Sequence, residues 1–349
     1  MMYDSQVHFN SLYQQATAEF AFRAGSLAEL EQWQAAFRPR LKQILGLEHI
    51  EAQLKGYQPR AEQVDEADLD DFVRQRWVIW VEPTVPLPFI VLLPKNISGP
   101  LPLVLTPHGH GKNTELYAGV YHNPEEYASM VDGERDIAVQ AVREGYIAIA
   151  PTARAFGETR TPADKSEDKT SSCRIQLLHD LLVGRTPIGD RVWDMSRLID
   201  WAFANLPVDP RRVVMTGNSG GGTVSVFAPA CDERITLAAP GSYFCTFQGS
   251  IGTIYHCDCN YVPGILTLGE MYDVAGLIAP RPFIAMAGRE DPIFPIDQVQ
   301  FAMEKLKAIY TVAGVPERCA LHIGEGGHRY YKQGSWPFIR RQFSALTNS

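Results

Sequence analysis

The sequence predicts an α/β protein with a largely parallel sheet of about eight strands and helices on both faces. Short runs that are apolar throughout alternate with segments whose apolar residues recur at helical spacing. Parallel strands are buried on both faces, which explains continuous apolar runs, and they need helical crossovers between them. With 349 residues, 45% of them hydrophobic, the chain is long enough to bury a large core.

The strand signals begin at residue 77. Residues 77–81 and 89–93 are β-type runs around a proline-rich turn, so we expect an antiparallel pair. Six buried-strand signals follow, at residues 103–106, 146–150, 212–216, 235–239, 283–287 and 320–323. Helical patterns lie between most of them, at residues 133–144, 192–205, 219–228, 297–313 and 336–346. Three long segments without periodicity follow strands, on the side where α/β sheets bind ligands: 106–132, 151–175 and 242–273.

The first 75 residues differ from the rest. Apolar residues at three- and four-residue intervals between positions 27 and 45 predict an amphipathic helix, which Pro39 should kink or split. The acidic stretch 62–71 indicates a solvated connection. We therefore predict a helical extension over residues 1–75, packed on a body formed by residues 76–349.

Composition excludes several classes of partner. The net charge is −8 and basic residues are scattered, which argues against nucleic acid and anionic lipid. No apolar run approaches the roughly 20 residues needed to span a bilayer. The N-terminus has neither a basic start nor an apolar stretch, so we expect a cytoplasmic protein whose six cysteines are reduced.

The strongest chemical signal is Gly217-Asn218-Ser219-Gly220-Gly221, which follows a strand and precedes a helical pattern. A nucleophile on a tight strand-to-helix turn needs small neighbours, because a Cβ at Gly217 or Gly221 would crowd the turn. The helix N-terminus would also favour negative charge near Ser219. The alternative is a glycine-rich helix entry with an ordinary serine cap.

A nucleophilic serine needs a base, and three histidines lie downstream of Ser219. His328 follows the last strand in a glycine-rich turn, so it is the predicted base. His322 lies inside a strand run, where a packed or surface role is expected. His256 lies in a long loop with no strand end to position it.

The base must in turn be oriented by an acid. Asp291 follows the strand 283–287 in a turn fixed by Pro292, and we predict it for this role. Glu290 is the nearest rival, and Asp297 is better explained as a helix cap. A plain surface-turn role for Asp291 would leave Ser219 and His328 without an orienting partner.

An oxyanion formed during acyl transfer needs preorganised donors. We predict the backbone N–H of Gly220, directly after the nucleophile, and that of His110, with Gly111 as second choice. His108 and His110 could also form a metal-ligand pair, but a His-x-His pattern without nearby carboxylates is weak evidence for one.

The segment His256-Cys257-Asp258-Cys259 has soft-ligand character. Its spacing is not that of a standard zinc site, and Cys231, Cys245 and Cys319 show no partner pattern. We predict small buried thiols in a loop, with no metal and no cofactor.

These residues resemble the α/β-hydrolase superfamily over roughly residues 75–349, and within it the acetyl xylan esterase-like, dienelactone-hydrolase-related group. The closer resemblance rests on residues 108–111, 154–158, 217–221, 261–264 and 272–273, and on a leader helix at 33–47. It implies ester hydrolysis by a triad of Ser219, His328 and Asp291, with carbohydrate acetyl groups as a common substrate class. Dienelactone hydrolases proper use cysteine at position 219, which disfavours lactones. The expected lack of export favours a small or oligosaccharide ester over polymeric xylan.

Two other functions stay open. One is a peptidase or amidase related to prolyl oligopeptidases, although the leader is small for a gating domain. The other is a non-catalytic binding protein with a hydrolase fold. The extension could serve assembly into a homo-oligomer as readily as cover the sheet, and the acyl group and alcohol are not specified.

Overall fold

A nine-stranded sheet forms the centre of the protein, in the order β1-β2-β3-β5-β4-β6-β7-β8-β9. This computed structural model describes residues 3–347. The strands are β1 (Ala61–Asp68), β2 (Phe72–Glu82), β3 (Val85–Pro94), β4 (Leu101–Leu105), β5 (Ile147–Pro151), β6 (Val208–Asn218), β7 (Leu237–Gly241), β8 (Phe283–Gly288) and β9 (Cys319–Gly324). The prediction of a mostly parallel sheet is confirmed, with one strand more than expected.

The direction of the strands changes along the sheet. β1, β2 and β3 pair antiparallel, as do β3 and β5, and the remaining neighbours pair in parallel. Trp77 lies opposite Phe89, so the expected antiparallel pair is present. The carboxyl ends of the parallel strands meet at one edge, where the connecting segments form the site described below.

Helices cover both faces of the sheet. They are α1 (Ser5–Gln15), α2 (Leu27–Leu45), α3 (Leu47–Gln53), α4 (Pro124–Asp132), α5 (Ile137–Arg143), α6 (Pro162–Ser166), α7 (Cys173–Leu182), α8 (Pro187–Asn205), α9 (Gly220–Cys231), α10 (Ile265–Leu268), α11 (Met271–Gly276), α12 (Ile296–Val312) and α13 (Lys332–Thr347). Side chains of α2, α8, α9 and α12 form the core on one face, and those of α5 and α13 form the core on the other. β4 contributes side chains to both cores, because Leu103 and Leu105 lie in the first core and Val104 lies in the second.

Two expectations for the N-terminal region need correction. Of the kink or split expected at Pro39, the split is absent, since α2 continues to Leu45; Phe37 and Leu41 on either side of the proline are fully buried in the main core. The acidic stretch at 62–71 is not a free connection. Most of it lies in β1, a solvent-exposed edge strand that is hydrogen-bonded along β2.

Within residues 3–347, no helix is long and apolar enough to cross a membrane.

Candidate active site

Ser219 lies at the turn between the end of β6 and the start of α9. Its backbone has φ 58° and ψ −116°, a conformation that L-residues rarely adopt and that costs about 1–3 kcal/mol. The turn is held because the Ser219 N–H donates to the Gly241 carbonyl at 2.9 Å. Ser219 is half-buried there, and the strained strand-to-helix turn is similar to a nucleophile elbow.

The glycines around Ser219 are needed for close packing. A Cβ at Gly217 would lie 2.2 Å from the Pro107 carbonyl oxygen, and one at Gly221 would lie 1.9 Å from it. The predicted crowding is therefore confirmed, and its source is the segment that follows β4. A Cβ at Gly109 would also lie 3.2 Å from that of Ser219. These glycines let two strand ends approach each other.

His328 and Asp291 form the hydrogen-bonded pair that the sequence predicts. His328 Nδ1 lies 2.8 Å from Asp291 Oδ2, and the Asp291 side chain is almost fully buried. The other oxygen, Oδ1, accepts the backbone N–H groups of Ile293 at 3.0 Å and Phe294 at 3.2 Å. Because a carboxylate oxygen accepts, Nδ1 donates its proton to Asp291, and in a neutral His328 ring the free lone pair then lies on Nε2.

The rival acids lie elsewhere. Glu290 is exposed to solvent. Asp297 lies in the first turn of α12 and its carboxylate accepts from Gln298, while Pro295 occupies the N-cap. Asp297 is therefore not the cap that the sequence suggests.

The rival histidines are accounted for by other contacts. His322 lies in β9 against the ring of Tyr331, with ring centroids 6.1 Å apart. His256 does reach the cavity, but its Nε2 lies 2.9 Å from Ser250 Oγ. That hydroxyl donates to the Ile293 carbonyl, so it accepts from His256 Nε2–H. Burial lowers the pKa of His256, which keeps this ring neutral.

The residues predicted to supply the oxyanion donors lie at the same cavity as Ser219. Gly220 and His110 line the same cavity as Ser219 and His328. The N–H of Gly109 donates to Tyr117 Oη at 3.0 Å and is thus engaged elsewhere. His110, one residue further along, is the donor that the sequence predicts in this loop.

His108 has a structural role. Its Nε2 accepts the N–H of Ala153 at 2.9 Å, and its Nδ1 lies 2.7 Å from the Gly109 carbonyl oxygen. Burial lowers its pKa to about 4, so the ring is neutral. With both ring nitrogens engaged, His108 does not pair with His110 as a metal ligand.

The cavity that contains these residues has a volume of about 960 Å³. All three long segments contribute to its wall, through residues such as Lys112, Arg174 and Tyr255. Asn218 also lines it, and its side-chain oxygen is buried without a hydrogen-bond partner among the residues the structure describes. Sequence reasoning missed Asn218, although it stands directly before the predicted nucleophile.

One cluster at the cavity wall was not visible in the sequence. The side chains of His110, Cys173, Cys257 and Cys259 converge, with their nitrogen and sulfur atoms all within 4.8 Å of one another. No local sequence pattern contains the whole cluster, because Cys173 lies 84 positions before Cys257 (257 − 173). These thiols are therefore not isolated.

Two residues that carry the family resemblance act as supports. Arg154 is buried, and its guanidinium binds the Asp194 carboxylate through both Nε and Nη2. Asp273 accepts the backbone N–H groups of Phe22 at 3.0 Å and Glu270 at 2.9 Å. They fix the segments behind the cavity rather than facing it.

The fold agrees with the comparisons to known proteins. The chain belongs to the abhydrolase family, whose model matches residues 7–333. It is similar to "Putative hydrolase YtaP" of Bacillus subtilis (strain 168), with 24% identity over 249 residues, 69% of this chain and 77% of that protein.

Solved structures with a similar fold include the "putative acetyl xylan esterase (BF1801)" of Bacteroides fragilis NCTC 9343. Its TM-score is 0.77 at 19% identity, over 97% of this chain and 84% of that one. A CE15 glucuronoyl esterase from Teredinibacter turnerae T7901 has a TM-score of 0.65 at 16% identity, over 94% and 88%. The protein thus has the α/β-hydrolase fold with an N-terminal helical segment.

Proposed function

We propose that the protein is a serine carboxylic-ester hydrolase with Ser219 as nucleophile, His328 as general base and Asp291 as the orienting acid. The observation that carries the proposal is the His328–Asp291 hydrogen bond at a cavity shared with Ser219, whose backbone is strained. A buried carboxylate, an oriented imidazole and a serine at the cavity are the three parts that acyl transfer requires.

In the first half of the reaction, Ser219 Oγ attacks the ester carbonyl while His328 Nε2 takes its proton. The imidazolium is stabilised by Asp291, and the backbone N–H groups of Gly220 and His110 hold the oxyanion. Each such donor contributes on the order of 3 kcal/mol to transition-state stabilisation. The proton on His328 then passes to the departing alcohol, which leaves an acyl-enzyme.

In the second half, His328 removes a proton from water, which attacks the acyl group on Ser219. The carboxylic acid leaves and the serine regains its proton. No cofactor takes part in this scheme.

We propose a carbohydrate or another small acylated molecule as substrate, with acetyl as the acyl group. Support comes from the names of the structural neighbours, an acetyl xylan esterase and a glucuronoyl esterase. The cavity of about 960 Å³ suits a ligand the size of an oligosaccharide. Cytoplasmic location remains a prediction.

The experiment is to assay Ser219→Ala on 4-nitrophenyl esters of increasing chain length and then on acetylated sugars. We expect kcat to fall by about 10⁴- to 10⁶-fold, with acetate the preferred acyl group in the parent protein. Ser166→Ala is the matched control, because Ser166 is exposed and its hydroxyl only donates to Ala163.

Retained turnover in Ser219→Ala would exclude the serine mechanism. Faster cleavage of aminoacyl anilides than of esters would favour the peptidase function. No labelling of the parent protein by a fluorophosphonate probe would favour a non-catalytic role.

A further inference from the structure

Four soft or borderline ligands meet behind the loop that carries His110. His110 Nε2 lies 3.3 Å from Cys259 Sγ, and the sulfurs of Cys257 and Cys259 are 3.5 Å apart. Cys173, at the start of α7, completes the set within 4.8 Å. The ligands come from three separate segments of the chain, all of which also form the cavity wall.

The distances suit a tetrahedral metal centre. With zinc–sulfur bonds of about 2.3 Å and a zinc–nitrogen bond of about 2.0 Å, tetrahedral geometry separates sulfurs by roughly 3.8 Å and nitrogen from sulfur by roughly 3.5 Å. The observed separations, 3.5 Å between the sulfurs of Cys257 and Cys259 and 3.3 Å between His110 Nε2 and Cys259 Sγ, differ from these values by only a few tenths of an ångström. Small side-chain shifts would complete the geometry.

The charge around the cluster supplies an independent argument. Arg191 is buried at 2% exposure, and no carboxylate among the described residues pairs with it. Its Nη2 lies 3.6 Å from Cys173 Sγ, while its Nε has no hydrogen-bond partner in the part of the chain described. A buried guanidinium requires a neighbouring negative charge. Thiolates in the cluster would provide one, and the thiolate is the form of cysteine that binds a metal.

We propose that His110, Cys173, Cys257 and Cys259 bind one zinc ion as a closed structural site. Three S–H bonds break and three S–Zn bonds form, the three protons go to solvent, and no atom changes oxidation state. Three thiolates and Zn²⁺ sum to a charge of −1, which Arg191 balances. Four protein ligands leave no open position, which is typical of a structural rather than a catalytic zinc. This departs from our sequence prediction of no metal.

The ion would fix the oxyanion loop. The imidazole of His110 would be bound to the metal, while its backbone N–H is the donor proposed for the oxyanion; only this consequence depends on the proposed ester hydrolysis. The ring of Phe156 packs edge-on against His110 at 5.1 Å and lies 5.2 Å from the guanidinium carbon of Arg191. The site would thus tie three cavity segments together from behind.

The first measurement is elemental analysis of the full chain purified under reducing conditions without chelator. We expect about one zinc per chain. After chelator removes it, titration with Co²⁺ should give the intense d–d bands of a tetrahedral site and a sulfur-to-cobalt charge-transfer band, saturating at about one equivalent. Neither the elemental analysis nor the cobalt titration depends on a substrate.

Variants then locate the site. Cys257→Ser, at a partly exposed position, should lower zinc content and cobalt affinity at least about 10-fold. Cys319→Ser is the matched control, because Cys319 is a buried thiol in β9 outside the cluster, and it should retain the metal. If Cys257→Ser fails to fold, the cobalt spectrum of the parent chain still shows whether cysteine sulfurs bind the metal in tetrahedral geometry.

Three results would overturn the proposal: absence of both zinc and a cobalt charge-transfer band in the reduced parent, full zinc content in folded Cys257→Ser, or a metal-free protein with a disulfide among these cysteines. The zinc proposal and the proposed serine mechanism can be refuted independently of each other. Ser219→Ala should keep its metal, and a chain without zinc could still hydrolyse esters.

Discussion

In the proposed mechanism, Asp291 determines which nitrogen of His328 is free to act as a base. One of its oxygens faces Nδ1 while the other accepts the amides of Ile293 and Phe294. Asparagine would preserve shape but present an NH₂ group to Nδ1, which favours the unproductive tautomer. We expect Asp291→Asn to lower kcat for 4-nitrophenyl acetate by about 10⁴-fold with little change in thermal stability. Asp297→Asn should leave kcat unchanged, and an equal loss in both variants would contradict the assignment.

Gly217 tests the packing of the serine turn. A Cβ there meets the Pro107 carbonyl at 2.2 Å, and backbone cannot easily move aside. We expect Gly217→Ala to lower the free energy of unfolding by at least about 2 kcal/mol in urea titrations. Gly111→Ala is the matched control, since nothing lies within 4 Å of its added Cβ and its effect should stay within about 0.5 kcal/mol. Equal stability of the two variants would show that the turn tolerates a side chain.

At the level of single residues, the sequence was sufficient to predict Ser219, Asp291 and His328 as site residues. Each follows the end of a strand, and such ends meet at one edge of a parallel sheet. Their catalytic roles remain predictions. The cysteine cluster could not be predicted in the same way. Its ligands come from a helix start and two loops, and local patterns do not determine how loops of this length fold over one another.

Among the elements, α2 shows how burial overrides local propensity. Its apolar spacing predicted the helix, but the effect of Pro39 depended on packing that the sequence does not show. β1 was missed for the opposite reason. An exposed edge strand buries little, so it lacks the apolar run by which the other strands were recognised.

Phe37 tests whether the leader folds with the body, the division at residue 75 being still a prediction. Its side chain is fully buried and stacks on Phe20 at 4.8 Å. We expect Phe37→Ala to cost about 3–5 kcal/mol in a single, earlier unfolding transition. Leu27→Ala on the same helix, 52% exposed, should change stability by about 0.5 kcal/mol or less. A separate early transition for the leader would instead indicate an independent unit.

Across the whole molecule, a buried ion network joins the sheet to the cavity segments. Arg154, which follows β5, contacts Glu82 of β2 at 2.6 Å and Asp190 of α8 at 3.1 Å, besides Asp194. Burial raises the pKa of Asp194 to about 6, and the guanidinium of Arg154 opposes that rise. Removing Arg154 leaves buried carboxylates without their main counter-charge.

Arg154→Met should therefore lower the free energy of unfolding by about 3–5 kcal/mol at pH 8. In the unfolded chain the pKa of Asp194 is about 3.9, so the folded protein binds a proton on this carboxyl more tightly than the unfolded chain does. Protonation of Asp194 therefore adds to the stability of the fold as the pH falls through about 6. Loss of Arg154 raises the pKa of Asp194 further. The difference in free energy of unfolding between the parent protein and Arg154→Met should therefore be smaller at pH 5 than at pH 8. Urea titrations at both values check this, with Arg211→Met, an 84% exposed side chain, as control. A deficit that does not change with pH would show that the carboxylates stay ionised.

The order of strands was also beyond sequence reasoning. β5 lies between β3 and β4, and β4 pairs with β6, so neighbours in the sheet are often distant in the chain. Apolar runs identify buried strands but do not specify their partners, because all of them present similar surfaces.

The exposed edge strand β1 has a consequence for self-association. It carries four carboxylates, at Glu62, Asp65, Glu66 and Asp68, and its register shifts between Gln63 and Asp65. If two copies aligned these edges, like charges would face each other and the irregular register would interrupt the ladder of hydrogen bonds. Growth of the sheet from one copy into the next is therefore disfavoured at this end, and a homodimer would have to form through a different surface.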